Sequence, residues 1–288
     1  MEKSIVHYEV SELPLNFSDK IGEGSSANVF KLTLRNKKMA VKVIKTQFSQ
    51  HKVYSIATKL RQLKHKNVVR FKGYSTRPTA LIFESCFLEI CNVQISNLSQ
   101  LIQHLNEQSS FSFLHRLNFI YQSSNGIMYL HESGIVHKDI KPSKLLVTGT
   151  TKDITIKVSD FDDFVDIKET IALSMTKQNI NGMTLAYTSP EIIKCEVEAP
   201  NQKSDIYALA ITAFEIFSDF PSAWHGIIHV LKDILLMNAI ISGKRPKVNH
   251  LFTLYGEENI SLHKFINLIQ QGWQDNPSLR PTISVVFV

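Results

Sequence analysis

The chain has 288 residues, of which 43% are hydrophobic and 20% charged, and its formal net charge is +6. That composition excludes a disordered or fibrous polypeptide, and the length calls for one large domain or two lobes sharing a cleft. Cys86, Cys91 and Cys195 show no Cys-x-x-Cys spacing, so neither a disulfide framework nor a zinc site is expected, and a reducing, cytoplasmic setting fits. Residues 1–16 read as an N-terminal extension without the apolar core of a secretory signal. Phe17 to Glu23, Asn28 to Leu34 and Lys38 to Ile44 alternate as strands. Val53 to Leu63 places Ile56, Leu60 and Leu63 on one helical face, and strand character returns at Val68 to Gly73 and Ala80 to Glu84. After Phe87 the pattern changes to apolar-periodic helices over Leu114 to His131, Lys203 to Phe217, His225 to Ile241 and Ser261 to Trp273. Between them, Ile135 to Val147 and Ile154 to Asp160 read as short strands and loops, and a long polar stretch from Asp162 to Asn181 has the length of a functional loop. The most apolar internal run, Ile227 to Ile241, is broken by His229, Lys232 and Asp233, so no membrane span is expected.

Charge is unevenly placed. Between Gly24 and Phe83 there is no Asp or Glu at all, which reads as a basic solvated lobe, or one that handles a polyanion such as a nucleotide, rather than as a nucleic-acid surface. Within that region, Ile21-Gly22-Glu23-Gly24-Ser25-Ser26-Ala27-Asn28-Val29 joins two strand patterns. Paired glycines let a backbone turn closely over phosphate oxygens and offer N–H groups to them, although a tight hairpin has the same appearance. No Gly-Lys-Ser/Thr follows, and no helix starts directly after it, so a Walker loop and a dinucleotide fold are both disfavoured. Met39-Ala40-Val41-Lys42 places one lysine on an apolar strand, where it either meets an anion or faces solvent.

The segment Ile135-Val136-His137-Lys138-Asp139-Ile140-Lys141-Pro142-Ser143-Lys144-Leu145-Leu146-Val147 is more specific. Val158-Ser159-Asp160-Phe161-Asp162 and Tyr187-Thr188-Ser189-Pro190-Glu191 follow it, then Ser204-Asp205-Ile206-Tyr207 and the stretch from Trp273 through Arg280-Pro281. In this order the segments resemble the eukaryotic protein-kinase family, from about Phe17 to the C-terminus. The resemblance implies an α+β, bilobal protein-kinase fold. Its N-lobe, about 17–84, would be a small antiparallel β-sheet with one helix. A hinge at about 84–88 would lead to a larger, mainly α-helical C-lobe at about 89–288, with the last family helix running past Val288.

The same resemblance implies ATP and Mg2+ as cofactors, with the nucleotide between the lobes, and a protein substrate or signalling partner. Asp139 would accept the proton of the substrate hydroxyl, and Lys141 would steady the transferring phosphoryl group. Asp160 would hold Mg2+, Lys42 would position the α- and β-phosphates, and the Ile21–Val29 loop would cover them. Glu84 and Cys86, following Phe83, would present backbone groups to adenine. Glu191 would pair with Arg280 and Asp205 would brace the catalytic loop. Lys141 two residues after Asp139 resembles the serine/threonine-specific pattern. Tyr207, Gly272-Trp273-Gln274-Asp275-Asn276-Pro277 and Arg280-Pro281-Thr282 resemble the tyrosine-kinase-like group.

Several positions depart from the family pattern. Ile56 stands where the N-lobe helix carries a Glu for the strand lysine, and Lys144 stands where an Asn would ligate the second Mg2+. Asp162 replaces the glycine after Asp160-Phe161, Lys138 replaces an Arg, and Ala27 replaces the third loop glycine. These changes imply weakened phosphotransfer or, alternatively, a pseudokinase acting as a nucleotide-binding or allosteric module. Ser174, Thr176 and Thr184 are the candidate phosphorylation sites of the activation segment.

Overall fold

A computed structural model describes residues 5–24, 27–46, 48–106, 111–161, 184–197, 200–219, 222–224 and 233–286. The chain forms two compact units, Met1–Phe87 and Leu88–Val288. Among the described residues no helix is long and apolar enough to cross a membrane.

The first unit is an antiparallel five-stranded sheet in the order β1-β2-β3-β5-β4, made of β1 (Lys20–Glu23), β2 (Ala27–Leu34), β3 (Lys37–Ile44), β4 (Phe71–Thr76) and β5 (Thr79–Glu84). One helix, α1 (Gln50–Gln62), starts at Ser49, whose hydroxyl accepts from the Lys52 N–H at 3.2 Å. Its buried residues Val53, Ile56, Ala57 and Leu60 follow the i, i+3, i+4, i+7 rule of a helix with one apolar stripe. The expected strand from Phe17 begins only at Lys20, after a 3-10 turn closed by the Asp19 N–H on Asn16 at 3.1 Å. The fourth strand starts at Phe71 rather than Val68. The Val68 N–H instead closes a turn on the His65 carbonyl at 3.2 Å, so the chain is still turning at that point.

The residues ahead of the first strand are packed onto this unit. Tyr8 and Leu13 join Leu32, Leu34, Met39, Val41, Ala80 and Ile82 in one buried cluster. The Tyr8 N–H donates to the Tyr74 carbonyl at 2.9 Å, and the Tyr74 N–H donates to the Val6 carbonyl at 3.1 Å. Gly73 allows that approach, since a Cβ there would lie 2.6 Å from the Val6 oxygen.

The second unit opens with the hairpin β6 (Leu88–Ile90) and β7 (Val93–Ile95), then α2 (Leu98–Asn106) and α3 (Phe113–Glu132). A second hairpin follows, β8 (Leu145–Thr150) against β9 (Asp153–Val158). Helices complete the unit: α4 (Pro190–Ile193), α5 (Gln202–Ser218), α6 (Asp233–Ile241), α7 (Asn249–Tyr255), α8 (Ile260–Gly272) and α9 (Ile283–Val286). The first part of the helix expected from His225 lies outside the described residues. Almost every residue of α5 from Ser204 to Ser218 is buried, so α5 is the central post of the unit. An Asn201 capping box starts it, with the Asn201 side chain accepting from Ser204 N–H and the Ser204 hydroxyl accepting from Asn201 N–H.

Arg280 ties the end of the chain to this post. Its guanidinium donates to both Glu191 carboxylate oxygens at 2.7 Å, and to the carbonyls of Gln274, Lys203 and Asp275 at 2.8, 3.0 and 3.2 Å. All five N–H donors are thereby used on a side chain with no exposed surface, the condition under which a buried charge is tolerated. Burial works against the ionised form of Glu191, but the Arg280 guanidinium outweighs it and holds the carboxyl below its ordinary value of 4.5. Because the folded-state pKa is the lower one, the pair contributes fully above that ordinary value, and its contribution is lost as pH falls through the depressed folded pKa. Urea unfolding of Arg280→Ala is therefore expected to show a loss of about 3–5 kcal/mol at neutral pH, the cost of an orphaned buried carboxylate. In Glu191→Gln the loss of stability on acidification should shrink relative to the parent, and an unchanged acid slope would count against this pair as its origin.

Candidate functional site

The β8–β9 hairpin sets the geometry of the candidate site. Its register pairs Leu145 with Val158, so the residue before β8 and the residue after β9 leave the hairpin side by side. Ser159 secures the exit, donating to the Lys144 carbonyl through its N–H at 3.0 Å and its hydroxyl at 2.9 Å. Asp139, Lys141 and Lys144 on the incoming loop are thereby brought to Asp160 on the outgoing one.

His137 links the two segments. Its Nδ1 accepts from the Asp139 N–H at 3.3 Å, which places the ring proton on Nε2, and Nε2 donates to the Ser159 carbonyl at 2.8 Å. Asp205, in the first turn of α5, holds the other side of the loop. It is 1% exposed and accepts from His131 Nε2 at 2.9 Å, and from the N–H groups of His137 and Lys138 at 2.8 Å each. Lys138 and Asp160 both adopt left-handed backbone conformations, with φ of 71° and 63°. For residues other than glycine such angles cost on the order of 1–3 kcal/mol and collect at functional sites, where surrounding contacts enforce them.

Around Asp139 the side chains form a closed set. Lys141 Nζ lies 2.9 Å from Asp139 Oδ2 and donates to the Thr184 hydroxyl, which in turn donates to Asp139 Oδ1 at 3.3 Å. Lys144 Nζ is 3.8 Å from the same Oδ2 and is in contact with Asp160 Oδ2 as both hydrogen bond and ion pair. Asp139 remains 39% exposed, so its carboxylate is accessible to a hydroxyl from outside. The Thr184 hydroxyl, a candidate phosphorylation site, is committed to this set. Ser174, Thr176 and Asp162 lie outside the described residues.

Thr184 is held by its own platform. The following 3-10 turn, Leu185–Tyr187, is fastened by the Tyr187 hydroxyl to both Glu215 oxygens at 3.0 and 2.8 Å. Trp224 Nε1 adds a bond to the Ala186 carbonyl at 2.8 Å. Burial raises the Glu215 pKa, with the Tyr187 hydrogen bond opposing, and burial beside Glu215 raises that of Tyr187.

In the first unit, the β1–β2 turn pairs Gly22 with Val29 and Glu23 with Asn28, and the Gly24 N–H closes it on the Ala27 carbonyl at 2.8 Å. Ile21 points outward at 55% exposure. Ser25 and Ser26 lie outside the described residues. Among the described residues a Cβ added at Gly22 or Gly24 would meet nothing nearer than 3.6 Å, so packing against them does not require either glycine. Lys45 donates to the Gly24 carbonyl at 2.8 Å, and the hydrogen-bonded Lys20 holds the Glu23 carboxyl below its ordinary range. Lys42 lies on β3, the central strand, opposite Val29 of β2 and Leu81 of β5. Glu84 ends β5 and turns its carboxylate back, accepting from the Arg70 N–H at 2.8 Å, while Cys86 is buried.

A His-x-Asp loop, an Asp after a hairpin, a Thr-bearing turn and a buried Glu–Arg pair thus occur on a chain that also carries a five-stranded sheet with one helix. The chain matches the protein kinase domain over residues 15–287 and belongs to that family, with its antiparallel sheet unit and mainly helical second unit. It is 25% identical over 281 residues to a putative serine/threonine-protein kinase/receptor of Acanthamoeba polyphaga mimivirus, covering 96% of this chain and 16% of that protein. It is 24% identical over 300 residues to a serine/threonine-protein kinase of Arabidopsis thaliana, covering 97% of this chain and 45% of the plant protein. With a receptor-interacting serine/threonine-protein kinase of Homo sapiens it shares 28% identity over 236 residues, covering 78% of this chain and 32% of the human protein. The chain thus spans less than half the length of each.

The family uses ATP and Mg2+, and the described residues do not fit a pair of metal ions. Lysine carries donors only and ligates nothing, and the Asp160 Oδ2 oxygen is already engaged by Lys144. Among the described residues there is no group of three or more His, Cys, Asp or Glu side chains placed to hold a metal. His131 and Ser159 were not identifiable as part of the site from sequence. His131 meets Asp205 across 74 positions, and only the hairpin register gives Ser159 its place.

Ile56, expected from the sequence to stand at the family's helix carboxylate, is 4% exposed within the apolar stripe of α1. Ile56→Glu places an unpaired charge there, and a loss of stability on the order of 3 kcal/mol is expected in urea titrations. Increased phosphotransfer in an Ile56→Glu protein of unchanged stability would show instead that the missing carboxylate limits activity.

Proposed function

We propose that this chain transfers the γ-phosphate of ATP to serine or threonine hydroxyls of a protein substrate, at a reduced rate. The observation that carries the reading is the set formed by Asp139, Lys141 and Thr184. Asp139 is the proton acceptor for the incoming hydroxyl, and its exposure leaves room for that group. The Lys141 ammonium beside it stabilises negative charge on the transferring phosphoryl group. The N–H groups of the Ile21–Val29 turn and the Lys42 ammonium bind phosphates, and the backbone of Glu84 and Cys86 meets the adenine. Glycines at 22 and 24 that packing against the described residues does not require support that role for the turn. The serine/threonine-kinase relatives support the substrate class. The basic, acid-free stretch from Gly24 to Phe83 suits a nucleotide rather than a nucleic acid.

Reduced rate follows from Ile56 and Lys144, since positioning and electrostatics supply most of phosphoryl-transfer catalysis. The Lys144–Asp160 contact favours a second reading, a kinase-fold module that binds nucleotide without transferring phosphate. A γ-phosphate transfer assay on a generic protein substrate separates the two. Measurable transfer that falls at least about a hundredfold in Asp139→Asn supports the enzyme. Transfer that survives this substitution would remove Asp139 from the mechanism, and no transfer by a folded parent would leave the binding module. Nucleotide binding itself should raise the melting temperature in either case, by the equivalent of about 2.7 kcal/mol at a hundredfold excess over Kd.

A further inference from the structure

We infer that Lys144 is a tethered cation that takes the place of a divalent metal ion at Asp160, so that this chain binds a nucleoside triphosphate without any divalent cation. The inference rests on the nucleotide reading above and concerns how the phosphates are held.

Most lysine–carboxylate contacts on protein surfaces contribute little, because two flexible side chains must be ordered to make them. This one differs in its anchoring. Lys144 closes the 3-10 turn Pro142–Lys144, its N–H donating to the Lys141 carbonyl at 2.9 Å, and its own carbonyl receives two bonds from Ser159. Asp160 follows Ser159 directly, in a left-handed backbone conformation. The stem of the lysine and the carboxylate it meets are thus fixed to one another through one residue. Both side chains are only about a quarter exposed, at 25% and 28%, so solvent screens the contact less than at an open surface.

The ammonium is also shared. It lies 3.8 Å from Asp139 Oδ2 while in contact with Asp160 Oδ2, so a single fixed positive charge serves two carboxylates. A divalent ion approaching Asp160 Oδ2 would have to displace this ammonium or accept a positive neighbour at contact distance, and Coulomb repulsion opposes both. A triphosphate brought to the same place meets a lysine–aspartate pair of no net charge in place of a bare carboxylate, so the repulsion that Asp160 alone would exert is removed. An asparagine at position 144 would reverse this logic, because its amide oxygen can serve as a metal ligand and it carries no charge.

The test is calorimetric titration of ATP into the whole chain, in EDTA and in excess Mg2+, for the parent, Lys144→Asn and Lys144→Met, with melting curves confirming that each is folded. The parent is expected to bind ATP in EDTA with a Kd within about threefold of that in Mg2+. Lys144→Asn should lose about tenfold or more in EDTA and recover it when Mg2+ is added, whereas Lys144→Met should be weak in both buffers. A parent that binds ATP only with Mg2+ would overturn this inference and leave the nucleotide reading intact. Variants that bind like the parent in EDTA would also overturn it, since Lys144 would then play no part. Absence of binding by the parent in both buffers would overturn the nucleotide reading itself, and this inference with it.

Discussion

One buried carboxylate, Asp205, organises the second unit. Two of its hydrogen bonds go to successive backbone N–H groups, those of His137 and Lys138, and a third comes from the His131 ring. Adjacent amides directed at one acceptor require the chain to turn sharply, and the left-handed conformation of Lys138 is the form this turn takes. Without that acceptor one buried and one partly buried donor would lose this partner, which for the buried one is more costly than the loss of the bond alone. Because Asp205 sits in the first turn of the most buried helix, the loop bearing Asp139 is referenced to the core rather than to the surface.

The β8–β9 hairpin performs the complementary task. A two-stranded ladder allows only one partner for each residue, so fixing Leu145 against Val158 also fixes Lys144 beside Ser159 and hence Asp160. Two different basic side chains then serve two different needs. Arg280, planar and fully hydrogen-bonded, locks a buried junction, whereas Lys141 and Lys144 place compact charges where geometry is less restrictive.

Much of this was legible in the sequence, because the kinase motifs are local strings whose order is specific, and the spacing of Ile56 and Leu60 on α1 is a periodic signal. The hairpin β6–β7 was not. Its turn residues, Cys91 and Asn92, have φ of 48° and 65°, a conformation for which Asn-Gly is the recognisable signature, and no glycine is present. The helix Leu98–Asn106 was also missed, being short and buried through few residues such as Leu98 and Leu101. The Lys144–Asp160 contact could not be read either. Its chemistry is written in two residues, but their meeting depends on strand register, which the motif strings do not encode.

The N-terminal residues bear on where a kinase unit of this kind can be cut. A version of the chain starting at residue 17, where the kinase resemblance begins, would remove Tyr8 and Leu13 from the cluster they share with Val41 and Ile82. Burying side chains of this kind is worth about 1.5–3 kcal/mol each, so the excised form would forfeit a large share of a typical domain's margin of stability. It would also uncover the backbone of Tyr74, which now exchanges hydrogen bonds with Val6 and Tyr8 on the edge strand of the sheet. An edge stripped in this way is a template for pairing with another chain, so the residues ahead of the kinase motifs act as a guard against aggregation.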